Sequence, residues 1–337
     1  MRLTIIPICA KQYGMHQRAI ATSIALLLLA PLAACGSDRD GAASAPTAGG
    51  SGGDSTIEVE AAFYPLQWIA EQVGGSGVTV SSLTPPGAEP HDLELTPKQV
   101  AGIGEADVVV KLSGFQPAVD DATGDRKNVF DVADVVDLDL TTTEHEHEGS
   151  EDHADEEEGH DDEKVADPHF WLDPTLLAEV APALADRFGK LDPDHAAAYQ
   201  QRADDTVALL DGIDDDFAKG LDSCQSTDLV TSHQAFGYLA RRYGLTQVGI
   251  NGLSAEQEPS PGRLAEVTDF VEDHGVRTIY FETLIPSDIA RTIADETGAD
   301  TAVLDPIEGL TDESAGDDYP SVMAANLEAL RAGQSCS

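Results

Sequence analysis

The sequence predicts an α/β protein of two lobes, each built on a parallel-type sheet with flanking helices and joined by one long backbone helix. Three observations predict it. Short apolar runs alternate with helical periods after residue 56, the same alternation returns after residue 227, and a long helical stripe lies between them. The ~280 residues that carry this pattern suit two domains.

The first lobe, 57–190, opens with IEVEAA (57–62), a strand candidate, after which Leu66, Ile69 and Val73 recur at helical spacing as far as Gly74-Gly75. VTVSSL (78–83) reads as a second strand. TPKQVAGIGEA reads as a helix opening at Thr96-Pro97, and the strand-like DVVVKL (107–112) follows it. The connecting helix is expected over 191–221. Asp192 can cap it, Pro193 suits its first turn, and Tyr199, Ala203, Thr206, Leu210, Ile213, Phe217 and Leu221 follow in steps of three and four. Such a helix is about 40 Å long.

The second lobe, 222–337, repeats the style. DLVTS (228–232) is a strand, His233 opens the helix QAFGYLARRYG, which ends at Gly244, and TQVGI (246–250) is a strand. Ser260-Pro261 caps a helix carrying Leu264, Val267 and Val271, which stops near Gly275. VRTIYFE (276–282) is a strand, PSDIARTIADETG a helix, TAVL (301–304) the last strand, and YPSVMAANLEALRAG a closing helix.

Residues 1–34 read as an export signal. Arg2, Lys11 and Arg18 precede AIATSIALLLLAPLAA, an apolar run shorter than the ~20 residues of a membrane span. Met1 or Met15 could serve as the start. Leu32-Ala33-Ala34-Cys35 is similar to the lipobox of bacterial lipoproteins, which implies cleavage before Cys35 and lipidation of its thiol. Residues 35–56, rich in Gly, Ser, Ala and Thr, form a flexible tether. The expected location is therefore the outer face of the cytoplasmic membrane, on the periplasmic side if an outer membrane is present, with membrane contact through the lipid anchor only. That compartment permits a disulfide, and Cys224 and Cys336 remain to form one, stapling the C-terminal tail to the start of the second lobe.

The formal net charge of −43 argues against nucleic acid or an anionic membrane surface as a partner and favours cations. Its densest run is the tract 141–164, TTTEHEHEGSEDHADEEEGHDDEK, with twelve acidic residues and His145, His147, His153 and His160. Dense like charge with few apolar residues cannot offset chain entropy, so the tract is expected to be a disordered loop. A solvating spacer needs no imidazole, whereas His-rich tracts commonly bind metal. The tract is expected to act as an accessory metal collector.

Of the other histidines, His195 falls in the first turn of the connecting helix and His274 in the last turn of another, so both read as structural. His91, His169 and His233 share a different placement, in loops beyond predicted strands or beside the acidic tract, where parallel α/β sheets gather binding groups. Glu308, again past a predicted strand, supplies a fourth donor, with Asp305 and Glu282 as rival carboxylates by the same logic. Three imidazoles and a carboxylate make a tetrahedral set suited to Zn2+, although imidazole also suits other transition metals. With two donors in each half, the metal would sit in the interlobe cleft. No HExxH pair occurs, which excludes that class of metalloprotease.

FYPLQWIAEQVGG, PPGAEPHDLELTPKQV, DPHFWLDP, TSHQAFGYLARRYGL, EPSPGRLAEVTDFVEDHGVRTIYFE and ETGADTAVLDPIEGL together resemble the zinc-uptake solute-binding lipoproteins of bacterial ABC importers, in the metal-binding cluster of periplasmic-type binding proteins. The resemblance spans nearly all of 57–335, and the His-rich loop is a mark of its zinc branch. It implies two α/β lobes around a rigid helix and small lobe motion on metal release. It also implies that His91, His169 and His233 are the metal histidines and Glu308 the fourth ligand, matching relatives that read PLEGL where this chain reads PIEGL.

The implied role is capture of Zn2+ and its delivery to the ABC permease of a zinc importer by a monomer that is not an enzyme. Two alternatives accompany it: a manganese or iron carrier on the same fold, and a metal-dependent surface adhesin. The manganese branch carries a carboxylate where this chain has His233. A zinc hydrolase would need an open coordination position, which a fourth protein ligand denies.

Overall fold

The computed structural model describes residues 56–143, 164–255 and 257–337. The expected export signal, the tether up to residue 55 with Cys35, and His145, His147, His153 and His160 lie outside the described residues.

In the first half, β1 (Ile57–Ala61), β2 (Val78–Ser82), β3 (Val108–Lys111) and β4 (Val129–Asp131) form an all-parallel sheet in the order β2-β1-β3-β4. A two-stranded antiparallel ribbon, β5 (Thr141–Thr143) with β6 (Lys164–Ala166), brackets the acidic tract. In the second half, β7 (Asp228–Thr231), β8 (Thr246–Gly249), β9 (Thr278–Phe281) and β10 (Asp300–Val303) form a parallel sheet ordered β10-β9-β7-β8. Counted within each half, both sheets run 2-1-3-4, so one winding is used twice. The central strand β3 is β-branched and buried, as a strand covered on both faces must be: every residue of its VVVK is buried.

Helices α1 (Tyr64–Gly74), α2 (Pro97–Glu105) and α3 (Pro117–Thr123) serve the first sheet; α6 (Gly237–Tyr243), α7 (Pro261–His274), α8 (Asp288–Thr297) and α9 (Tyr319–Gly333) serve the second half. Their ends follow local chemistry. Thr96 and Gln99 form a reciprocal capping box before α2, and the Ser260 hydroxyl accepts the Arg263 N–H before α7. The α6 helix begins at Gly237, not at His233, because 232–236 first turns through a loop.

Between the halves lie two helices rather than one. Asp173 caps an 18-residue helix, α4 (Pro174–Leu191), which buries Leu177, Val180, Ala181, Leu184, Ala185 and Phe188. A 3-10 turn at Pro193–His195 then leads into α5 (Ala196–Leu221). The connecting helix thus starts at Ala196, not at 191: Pro193 lacks an N–H and its ring obstructs the carbonyl four residues back, so a helix arriving from α4 cannot continue through it. The two helices pack as a hairpin, and α5 also lies against α1 and α9. Arg202 of α5 donates to the Val73 and Gly74 carbonyls at 2.8 and 2.7 Å, satisfying the end of α1.

One apolar core runs through both halves, joining Phe63, Leu66 and Val109 to Leu210 and Phe217 of α5 and on to Phe236, Leu304 and Val322. A smaller cluster, including Val230, Val267, Ile279 and Ile293, lies under α7 and α8. Because the main core is shared, relative motion of the halves must shear packed side chains. Among the described residues, no helix is long and apolar enough to cross a membrane.

Cys224 and Cys336 are joined in a disulfide that closes a separation of 112 residues. Nearby, Gln225 and Ser226 donate their N–H groups to the Gln334 carbonyl, which ties the tail to the chain entering β7. The bond thus lies at the opposite end of β7 from His233. Replacing both cysteines by serine is expected to cost about 2–4 kcal/mol of stability, read by denaturant unfolding. Metal affinity should hardly change.

Candidate metal centre

His91 lies in the loop after β2, His169 between β6 and α4, His233 just after β7, and Glu308 after β10. The fold brings these four together, with one donor atom from each lying within 4.8 Å of the others. Glu308 Oε1 is 3.1 Å from His169 Nε2 and 3.4 Å from both His91 Nε2 and His233 Nε2. His169 Nε2 and His91 Nε2 are 3.3 Å apart. Bonds of ~2.0–2.1 Å to a tetrahedral Zn2+ would set donor atoms about 3.3–3.4 Å apart, so these spacings fit one such ion. The Nε2 of His233 is buried without a hydrogen-bond partner, a vacancy in donor chemistry that a cation would satisfy.

The two fully buried histidines are held by one device in both halves. Asp167 Oδ1 accepts both the backbone N–H and the Nδ1–H of His169, at 2.9 and 2.8 Å. Glu282 Oε1 accepts both the backbone N–H and the Nδ1–H of His233, at 3.2 and 2.7 Å. Each carboxylate thereby fixes the tautomer that leaves Nε2 free to face the cluster. Glu282 is thus an outer partner rather than a member of the set. Close packing guards the first device: a Cβ on Gly237, at the start of α6, would meet Asp167 Oδ2 at 2.5 Å.

Asp305 is also outside the cluster. Its Oδ1 accepts the Ile307 N–H at 2.8 Å, and Asn326 of α9 pairs with its backbone on both sides. Ile307 has a φ of 59°, a left-handed conformation that a β-branched residue adopts at a cost on the order of 1–3 kcal/mol. Asp305 and the burial of Ile307 sustain that turn, which carries Glu308 into the cluster. Trp171, two residues past His169, donates its indole N–H to the Pro306 carbonyl at 2.7 Å, and Tyr319 donates to the Trp171 carbonyl at 2.6 Å. The loops of His169 and Glu308 are therefore bonded directly across the halves. Phe115 stands edge-on to the His91 ring at 4.5 Å and Phe63 packs on Trp171, giving the site an apolar wall.

The electrostatics follow from burial and pairing. Burial disfavours the imidazolium form of His233, but the facing Glu282 carboxylate outweighs it and holds the pKa well above the ordinary histidine range. Burial acts the same way on His169, and hydrogen bonds with Asp167 and Glu308 outweigh it, raising its pKa. Burial alone would push Glu308 up; the facing imidazoles of His169, His233 and His91 hold it well below the usual carboxylate range. Burial pushes Glu89 up, with His91 offsetting part of the effect. His195 bonds to Asp192 at 2.7 Å, and His274 bonds to Asp228 and stacks on Phe270, both away from the cluster.

The outer carboxylate Asp167, the Trp171 tie, the strained Ile307 and the buried Glu89 were not singled out in the sequence. For Asp167 a signal existed, an acid two residues before a ligand-type histidine in DPHF; Glu282 was weighed, but as a donor.

The model of the family described as zinc-uptake complex component A, periplasmic, matches residues 59–333. The zinc-binding lipoprotein AdcA of Streptococcus pneumoniae is 37% identical over 284 residues, which are 82% of this chain and 56% of AdcA. The chain thus spans about half the length of that relative. The high-affinity zinc uptake system protein ZnuA of Bacillus subtilis is 36% identical over 308 residues, covering 89% of this chain and 92% of its own. Among solved structures, the Zn(II)-bound ZnuA-like domain of S. pneumoniae AdcA superposes with a TM-score of 0.66 at 32% identity, over 83% of this chain and 99% of that domain.

Glu282→Gln keeps all four inner donors but loses the charge that orients His233. It is expected to weaken Zn2+ binding about 10–100-fold in a chelator competition. An unchanged affinity would deny Glu282 that role.

Proposed function

The chain belongs to the zinc-uptake complex component A family, and on that premise we propose that it is the extracytoplasmic solute-binding component of an ABC importer, capturing Zn2+ for a membrane permease. The observation that carries this reading is the convergence of His91, His169, His233 and Glu308, whose donor atoms all lie within 4.8 Å of one another with Glu308 3.1–3.4 Å from each imidazole. Zn2+ is the cargo. Four protein donors close its shell and leave no position for an attacking water, which favours capture and delivery over hydrolysis. A third imidazole, rather than a second carboxylate, favours zinc over manganese.

In this reading Glu308 supplies the charge that the ion must neutralise, and the three Nε2 atoms supply imidazole nitrogen donors in a dry setting. The tract with His145, His147, His153 and His160 raises the local concentration of Zn2+ through weaker ligands, and Cys35 bears a lipid that tethers a monomeric protein to the membrane. Delivery requires the permease to part donors that the two halves contribute separately. A chelator-competed Zn2+ titration of the mature chain, beside a variant lacking 144–163, tests the assignment. One tight site in both, with weaker sites only in the full chain, is the expected result. Loss of the tight site on deletion would move the centre into the tract.

Zinc must compete with protons for the Nε2 atoms of His169 and His233, and the raised pKa values of these rings move that competition to higher pH. Affinity should therefore keep rising as pH increases beyond the free histidine value of about 6.5, and fall steadily as pH drops below it. Calorimetric titrations in buffers of different ionisation enthalpy should show net proton release on binding at pH 7. No release would contradict the site.

A further inference from the structure

Glu89 lies two residues before His91 on the same loop, and neither the capture reading nor the fold assigns it a task. Its side chain is only 8% exposed, and its Oε1 is buried with no hydrogen-bond partner. The other oxygen accepts the Asp92 N–H at 3.3 Å. Leaving a carboxylate oxygen buried and unpaired is costly unless something else pairs with it. That oxygen is aimed at the cluster, 3.8 Å from His91 Nε2. Between them, Pro90 restricts the backbone, and its carbonyl is held by the Gln116 side chain at 3.0 Å.

Exposure separates the donors into two kinds. His169, His233 and Glu308 are sealed, whereas the His91 side chain keeps 12% of its surface in solvent. An ion arriving from water meets His91 first, and Glu89 stands beside it. Two donors bonded to one Zn2+ at ~2.0–2.2 Å can be separated by up to about 4.2 Å, so a gap of 3.8 Å lets a single ion touch both.

Resting on the reading of the four-residue cluster as a Zn2+ site, we propose that Glu89 and His91 form an outer receiving position for the ion. The ion then exchanges the Glu89 oxygen for Glu308, His169 and His233 while keeping His91 as the common ligand. Release runs through the same position in reverse, so Glu89 acts on the rates of exchange more than on the final affinity.

The test is stopped-flow Zn2+ exchange with a fluorescent chelator, using the full mature chain and the variants Glu89→Gln and Glu89→Asp. Glu89→Gln preserves shape and should slow uptake and chelator-driven release together by about tenfold, leaving equilibrium affinity nearly unchanged. Glu89→Asp, which keeps the charge, should recover part of both rates. Wild-type rates in Glu89→Gln would overturn the proposal, as would a loss of affinity with uptake unaltered, which would make Glu89 a support of the inner shell. A wild-type chain without tight Zn2+ binding would overturn the four-ligand reading as well, so the two failures are distinguishable.

Discussion

Glu308 is a carboxylate sealed from water, and a buried charge of that kind is tolerated only when it is paired and hydrogen-bonded. Its partners are three imidazoles, none of them on its own loop. His91 and His169 come from the half built on the first sheet, and His233 from the half that Glu308 shares. Satisfying this one group therefore requires both halves to be in register to within a fraction of an ångström. The Trp171–Pro306 hydrogen bond, the left-handed turn at Ile307 and the Asp305–Asn326 pairing all act to hold that register.

The repeated sheet order explains how one chain arrives at such a site. In each sheet the strand order reverses direction beside its first strand, and groups beyond the carboxyl ends of the strands gather at that point. In the second half this places His233, after β7, beside Glu282, at the end of the neighbouring β9. In the first half the corresponding ends present Phe63 and Phe115, and the aromatic wall behind His91 is the result. Both halves then use a carboxylate oxygen to hold a histidine by ring and backbone together, which suggests that orienting Nε2 is the shared requirement.

Much of this was legible in the sequence. Strands of Val, Ile and Thr between Gly and Pro stops, and the stripe from Tyr199 to Leu221, report burial directly, and they appear where expected. Helix α4 was hidden because Pro182 and small residues such as Ala178 and Ala181 blur its stripe, although Asp173-Pro174 marks its start. The break at Pro193 was read as a helix opening because a proline suits both a first turn and a stop. His91, His169 and His233 could be grouped because histidine is scarce outside the acidic tract. Choosing among Glu282, Asp305 and Glu308 was beyond pattern reading, since all three follow strands. Glu89 was invisible for a plainer reason: in so acidic a chain one more carboxylate carries no signal, and only its burial sets it apart.

The measurement that bears most directly on this account is anomalous diffraction at the zinc absorption edge from crystals of the mature protein loaded with one equivalent of Zn2+. The account expects a single strong peak bounded by His91 Nε2, His169 Nε2, His233 Nε2 and a Glu308 oxygen, with bonds of ~2.0–2.2 Å. A principal peak anywhere else, or an ion at this point that Glu308 does not touch, would contradict it.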